Sequence, residues 1–298
     1  MRTKRCVLAG VGRACQSVVV ERGRTMVQAA QMGQEERLAW LVEWLVADDA
    51  RWADARAAGE LQVPEGEREL ERLWRSLVNV REPRPVTDDY LEVEDAYLAV
   101  RREERGVVRL PASDEPIVWQ GDITRLAVDG IVNAANSQLL GCFVPCHGCI
   151  DNAIHTAAGV RLRLACDELM RAQGAPEPCG RAKVTPGFNL PAAHVLHTVG
   201  PIVRGAAPTL RNRSDLASCY RSCLDLASEQ GLRSVAFCCI STGEFRFPNR
   251  QAARIAVSEV RRWSEAARAE GRCVPTVVFN VFKGQDRLLY EELLGGAR

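Results

Sequence analysis

Between Asn133 and Gly159 the chain reads NAANSQLLGCFVPCHGCIDNAIHTAAG, a window holding three cysteines, two histidines, three asparagines and one aspartate. Cys142, His147 and Cys149 put two thiols and an imidazole within eight residues, with Gly141, Pro145 and Gly148 shaping the turn. Zinc favours such soft and borderline ligands in tetrahedral geometry. A closed structural site usually draws its fourth ligand from a second cysteine pair, and the sequence has no second C-x-x-C. Three ligands with an open fourth position suit a metal that holds water or substrate. Cys146 is a fourth candidate ligand and the third thiol, but its neighbour His147 makes it awkward for both to reach one ion. The residues alone leave a second reading open, a cysteine-rich turn with buried thiols.

Two other stretches place polar groups at chain reversals. STGEFRFPN, Ser241 to Asn249, puts small and hydroxyl residues before a helix, where free backbone N–H groups can cradle a diphosphate. Phe245 and Phe247 could wall a ribose or base there, although an ordinary strand–helix loop would look the same. With the cysteine-rich window also running into a helix, two such loops on one edge fit a dinucleotide-like ligand. GDIT adds Asp122, a carboxylate able to accept from an exocyclic amine such as that of adenine, or simply to cap a turn. His155, His194 and His197 lie on a helix or beside a strand and read as packed rather than reactive.

These loops need a scaffold, and the surrounding pattern indicates one. After LPASDEP come the short apolar runs IVWQG, VDGIVNAAN, AKVTPGFNL, HVLHTVG, SVAFCCIS and TVVFNVF, bounded by Gly, Pro or Asn. Helical stretches fall at about 150–171, 210–230, 251–270 and 285–294. Apolar strands alternating with helices argue an α/β sandwich whose sheet is buried on both faces. Ligands bind such sheets at the carboxyl ends of strands. GDIT follows the first strand, the cysteine-rich window the second, and STGEFRFPN the fifth.

Upstream, residues 26–105 read as three amphipathic helices. Leu38, Leu41, Val42, Leu45 and Val46 recur at helical spacing, as do Leu70, Leu73, Trp74 and Leu77. Thr87 or Asp88 can cap the third after REPRPV. Their Trp- and Leu-rich faces are expected to be core or docking surface. Residues 1–25 are basic with one acid, Glu21, and read as a disordered or mis-called start before Met26, with a transit-like peptide as the other reading.

Composition narrows the function classes. A net charge of +1 over 298 residues gives no global attraction to nucleic acid or an anionic membrane. No apolar run is long enough to span a bilayer. Twelve cysteines, including the adjacent Cys238 and Cys239 and no evident secretory leader, are expected to be reduced thiols in the cytoplasm.

Taken together, WQGDITRLAVDGIVNAANSQLLG, IDNAIHTAAG, HTVGP and STGEFRFP resemble the signature of the macrodomain family, a module that binds ADP-ribose. LLGCFVPCHGCIDNAIH, with Cys, His and Cys where the usual loop is glycine-rich, is similar to the zinc-dependent branch, which removes ADP-ribose from modified proteins. The match runs from about 116 to 294, and RSLVNVREP and DYLEVEDAYL also resemble that branch's helical extension. The resemblance implies a three-layer α/β/α macrodomain with a mixed central sheet over 116–298, preceded by a small helical extension over 26–115.

It also implies roles. Asp122 and the backbone of Ile123 would hold adenine, with Phe282 lining the base and Asn280 nearby. Asn133 and Asn136 would reach the distal ribose, and Ser241, Thr242, Gly243, Glu244 and Phe245 would wrap the diphosphate. Cys142, His147 and Cys149 would bind Zn2+, with Asp151 as general base and Asn136 fixing the ribose. Arg246 stands where many macrodomains have glycine. The implied activity is zinc-dependent hydrolysis of mono-ADP-ribose from protein side chains. In bacteria this branch is often encoded beside a sirtuin-type transferase, and a lipoyl-carrier protein is one substrate that setting implies. Two alternatives use the same pocket: a non-catalytic ADP-ribose reader and an O-acetyl-ADP-ribose deacetylase.

Overall fold

The computed structural model describes residues 29–295; the expectations for residues 1–25 lie outside them. Six strands form one mixed sheet: β1 (Ile117–Gln120), β2 (Gly130–Ala135), β3 (Ala182–Pro186), β4 (His194–Val199), β5 (Ser234–Phe237) and β6 (Thr276–Val281). Their order is β1-β6-β5-β2-β4-β3, all parallel except the antiparallel β3–β4 pair at one edge. Helices α5 (Ile150–Ala158), α6 (Val160–Gln173), α7 (Leu210–Glu229), α8 (Asn249–Ala269) and α9 (Gly284–Gly295) flank it. The six apolar runs are the six strands. β6 is buried along its whole length, as a strand covered on both faces must be. The main core joins Ile131, Val132, Val195, Leu196, Val235, Phe237, Val278 and Phe279 from the sheet to Leu216, Tyr220, Leu224, Val257 and Val260 from α7 and α8.

The upstream region has four helices rather than three: α1 (Gln34–Asp48), α2 (Ala50–Ala57), α3 (Glu67–Val80) and α4 (Asp88–Arg105). The helical pattern breaks at Asp49, whose extended backbone and side chain, accepting from Arg51 N–H, start α2 afresh. Thr87 caps α4 by accepting from Tyr90 N–H, as the sequence indicates. The predicted stripes close on each other: Leu38, Leu41, Val42, Leu45, Leu70, Trp74, Leu77, Tyr90, Val93 and Tyr97 form a second core. Val160 of α6 is also part of it, so the two regions pack directly.

The helix expected over 150–171 is two, α5 and α6, divided at Gly159. Gly159 has φ of +87°, a conformation that strongly favours glycine. A Cβ there would lie 2.5 Å from Glu94 Oε2. Glu94, reaching across from α4, accepts from Val160 N–H at 2.9 Å and so caps the first turn of α6. One carboxylate of the extension thereby defines a helix boundary in the sheet domain.

Candidate active site

The loop from Gly141 to Cys149 leaves the carboxyl end of β2 and enters α5, whose N-cap is Cys149 with its sulfur accepting from Asn152 N–H. Ligand atoms of Cys142, His147 and Cys149 lie within 4.8 Å of one another. Cys142 Sγ and His147 Nδ1 are 3.5 Å apart. Zinc–sulfur bonds of about 2.3 Å and zinc–nitrogen bonds of about 2.0 Å set S and N roughly 3.5 Å apart in a tetrahedral site. The donor set and its spacing therefore fit zinc. Burial, and then the adjacent Cys142 sulfur, push the Cys149 thiol up to about 12, a cluster in which a bound cation would favour the thiolates. Cys146 turns away from the other three, toward α3, its Sγ 3.2 Å from Ser76 Oγ.

Two residues past Cys149, in the first turn of α5, Asp151 is buried with its Oδ1 accepting from Asn133 Nδ2 at 2.8 Å. Burial lifts its carboxyl to about 6, opposed by the Asn133 hydrogen bond and the Arg163 cation. Asn133, on β2, is wholly buried and turned inward: the same amide nitrogen lies 3.2 Å from His197 Nδ1. His197 Nε2 is in turn 2.9 Å from Thr185 Oγ1. Burial lowers the His197 pKa to about 4, so the ring is neutral and can accept from Asn133 through one nitrogen while donating to Thr185 through the other. His155 is buried one turn after Asp151, its Nε2 3.6 Å from Asp151 Oδ1. His155, Cys166 and His197 also cluster, all three buried. Asn136 stays half-buried and braces its own loop, donating to Gly141 O (3.0 Å) and accepting from Gln138 N–H (2.9 Å).

The second loop follows β5 across the sheet edge. Glu244 Oε1 comes 3.7 Å from His147 Nε2, so the two loops face each other over the carboxyl edge. Leu139, Cys146, Ser241 and Arg246 have φ between 51° and 65°, so both loops carry non-glycine residues in the left-handed region. Such strain persists only where the surroundings over-determine it, and Arg246 shows why glycine would suit that position. Ser241 Oγ is buried without a hydrogen-bond partner, and Thr242 Oγ1 donates to Cys239 O at 2.9 Å. Gly243 and Glu244 are exposed, and Phe245 is half-buried with its carbonyl accepting from Val203 N–H. Phe247 is buried in the main core, so the sequence expectation that it walls a ligand is corrected. Its aromatic ring supports the loop from beneath.

At the far end of the same edge, β1 and β6 are neighbours, with Gln120 opposite Val281. Asp122 begins the short turn after β1, one oxygen accepting from Thr124 N–H and Oγ1, and Ile123 beside it is buried. Asn280 Nδ2 donates to Gly121 O at 2.9 Å and ties the two strands' ends. Phe282 stands 76% exposed just beyond β6, an aromatic face left open to stack on a ring. From β1 to β2 is three strand spacings, roughly 14 Å. The edge thus brings the predicted residues into two groups whose separation suits an elongated ligand.

The residues that hold this arrangement from behind leave little trace in the sequence. Arg163 of α6, buried, donates to Leu140 O, Val78 O, Asn79 O and Arg81 O, and its guanidinium lies 4.5 Å from the Phe143 ring centroid. Arg75 and Asn79 of α3 bond the cysteine loop itself. A buried arginine in an amphipathic helix is the one local signal for the first; the others leave none, because their partners lie about seventy residues away.

Comparison with known proteins places this geometry. Residues 132–256 match the Macro domain family. A "Protein-ADP-ribose hydrolase" of Treponema medium is 46% identical over 272 residues, covering 88% of this chain and all of that protein. One of the same name from Staphylococcus aureus (strain MRSA252) is 46% identical over 255 residues, 84% of this chain and 94% of that protein. Among solved structures, the Oceanobacillus iheyensis macrodomain with ADP is 36% identical, with a TM-score of 0.55 over 63% of this chain and 94% of that one. With a relative of that identity matched from end to end, and with the sheet order and edge loops described above, the chain belongs to the macrodomain family.

Proposed function

We propose that this protein is a zinc-dependent protein-ADP-ribose hydrolase that removes mono-ADP-ribose from modified side chains. The observation that carries the reading is the convergence at one strand end of the Cys142–His147–Cys149 triad and the buried Asp151. The full-length relatives bear the name of that activity. Asp122, Ile123, Asn280 and Phe282 would take the adenosine end, and Ser241, Thr242, Gly243, Glu244 and Phe245 the diphosphate, leaving the distal ribose over the cysteine loop.

Cys142, His147 and Cys149 would hold zinc, which when bound supplies a Lewis acid able to orient a ribose hydroxyl or lower the pKa of water. Asp151 Oδ1 is committed to Asn133, which leaves Oδ2 to receive a proton. A carboxyl at about 6 exchanges that proton readily near neutral pH. Water adds to the anomeric carbon, the bond to the acceptor atom breaks, and the proton taken by Asp151 returns to the departing acceptor. Asn136 orients the ribose, a positional contribution. We further infer a lipoyl-carrier protein modified by a sirtuin-type transferase as the substrate; the resemblance of the cysteine loop and the helical extension to that branch supports it. Free thiols at every described cysteine agree with a reducing, cytoplasmic setting. Among the described residues no helix is long and apolar enough to cross a membrane.

The test is release of ADP-ribose from a mono-ADP-ribosylated protein by wild type, Asp151→Ala and Cys142→Ala. Both variants are expected to lose turnover by at least about a hundredfold while wild type turns over repeatedly. Folded variants with wild-type turnover would remove the assignment, and stoichiometric binding without release by wild type would make the protein a reader.

A further inference from the structure

The cysteine loop does little to hold itself. Among the described residues, one backbone–backbone hydrogen bond closes within it, His147 N–H to Val144 O at 3.2 Å. Asn136 Nδ2 braces Gly141 O and Cys142 Sγ lies 3.5 Å from His147 Nδ1, and a further set of restraints comes from α3. Asn79 Oδ1 accepts from Cys146 N–H at 2.9 Å, the residue the chain carries with φ of +51°. Arg75 Nη2 donates to His147 O at 3.0 Å and to Asn152 Oδ1 at 2.8 Å, and Asn152 Nδ2 passes the restraint on to Val144 O at 3.1 Å. Ser76 Oγ meets Cys146 Sγ at 3.2 Å. Arg75, Ser76 and Asn79 share one face of a helix by their spacing, while Leu70, Trp74 and Leu77 turn the other face into the extension's core.

Helix α3 therefore has two faces with different tasks. The apolar face joins the extension's core, and the polar face grips Cys146 and the ligand His147, two of the six residues between Cys142 and Cys149. We propose that α3, through Arg75, Ser76 and Asn79, is the positioning element of the zinc site and sets the separation of its three ligands. This rests on the reading of that loop as a zinc site. It gives the extension a role in the chemistry without contact with substrate, and it makes Cys146 an anchoring residue rather than a ligand. Groups that orient metal ligands from behind typically alter metal affinity by ten- to a hundredfold when removed.

The experiment measures zinc affinity of the full-length chain by competition with a chromophoric chelator, for wild type, Arg75→Ala, Arg75→Lys, Ser76→Ala and Asn79→Ala. Melting of the metal-free protein and calorimetric ADP-ribose affinity are recorded alongside. Arg75→Ala is expected to weaken zinc binding about tenfold or more. Its metal-free melting and its ADP-ribose affinity should stay near wild type, because the adenosine end is remote. Arg75→Lys should recover part of the loss. Asn79 is buried and its replacement can unfold the protein, so half-buried Arg75 and Ser76 carry the test. Wild-type zinc affinity in folded Arg75→Ala and Ser76→Ala overturns the proposal and leaves the zinc site standing. A wild-type chain that binds no zinc overturns both.

Discussion

The general-base role proposed for Asp151 rests on burial and one hydrogen bond. Its carboxyl sits at about 6 because desolvation outweighs the Asn133 amide and the Arg163 cation. The amide is held in turn by neutral His197 and Thr185, a chain of hydrogen bonds running back from the loop into the sheet. Asn133→Ala should lower kcat by roughly ten- to a hundredfold, since a small misplacement of a reacting group has effects of that size. Steady-state kinetics on protein shown folded by circular dichroism decide it. An unchanged kcat would show that Asp151 needs no such holder. That Cys142, His147, Cys149 and Asp151 converge at one strand end was legible in the sequence, because they lie within ten positions. That Asn133 faces inward was not, since strand alternation is masked where both faces of β2 are buried.

Among the elements, Glu94 shows how the extension shapes the sheet domain. It caps α6 at Val160 N–H and accepts from Tyr90 OH, wholly buried. Burial raises its pKa from 4.5 to about 7 despite those two bonds. The native state then binds the proton more tightly than the unfolded chain. Its contribution to stability is complete below about pH 4.5 and is lost as pH rises toward 7. At about 1.4 kcal/mol per pH unit the loss is on the order of 3 kcal/mol. Glu94→Gln, which can still accept from Val160 and donate to Tyr90, should flatten that part of the stability–pH curve in denaturant titrations; a curve that keeps its slope would assign the proton elsewhere. Gly159→Ala should destabilise by roughly 1–3 kcal/mol, from positive-φ strain and the Glu94 contact, seen as a lower melting temperature. The strands and most helices followed from periodicity. The break at Gly159 did not, because a carboxylate from sixty-five residues upstream helps to make it.

At the scale of the molecule, a helical extension with its own core and a mixed-sheet domain meet behind one loop. The alternation of apolar strands and helices made the fold class legible, and the edge loops located the ligand face. The joint between the two regions was not legible, because its polar contacts follow no period. In the proposed zinc-dependent hydrolysis, substrate turnover depends on a metal held at the cysteine loop. The most direct measurement follows release of free ADP-ribose from a mono-ADP-ribosylated protein of defined linkage, by purified wild-type enzyme, before and after treatment with a zinc chelator and after zinc is restored. Many turnovers per enzyme, loss on chelation and recovery with about one equivalent of zinc are expected. Undiminished turnover by protein shown to be free of zinc would contradict the proposed zinc dependence.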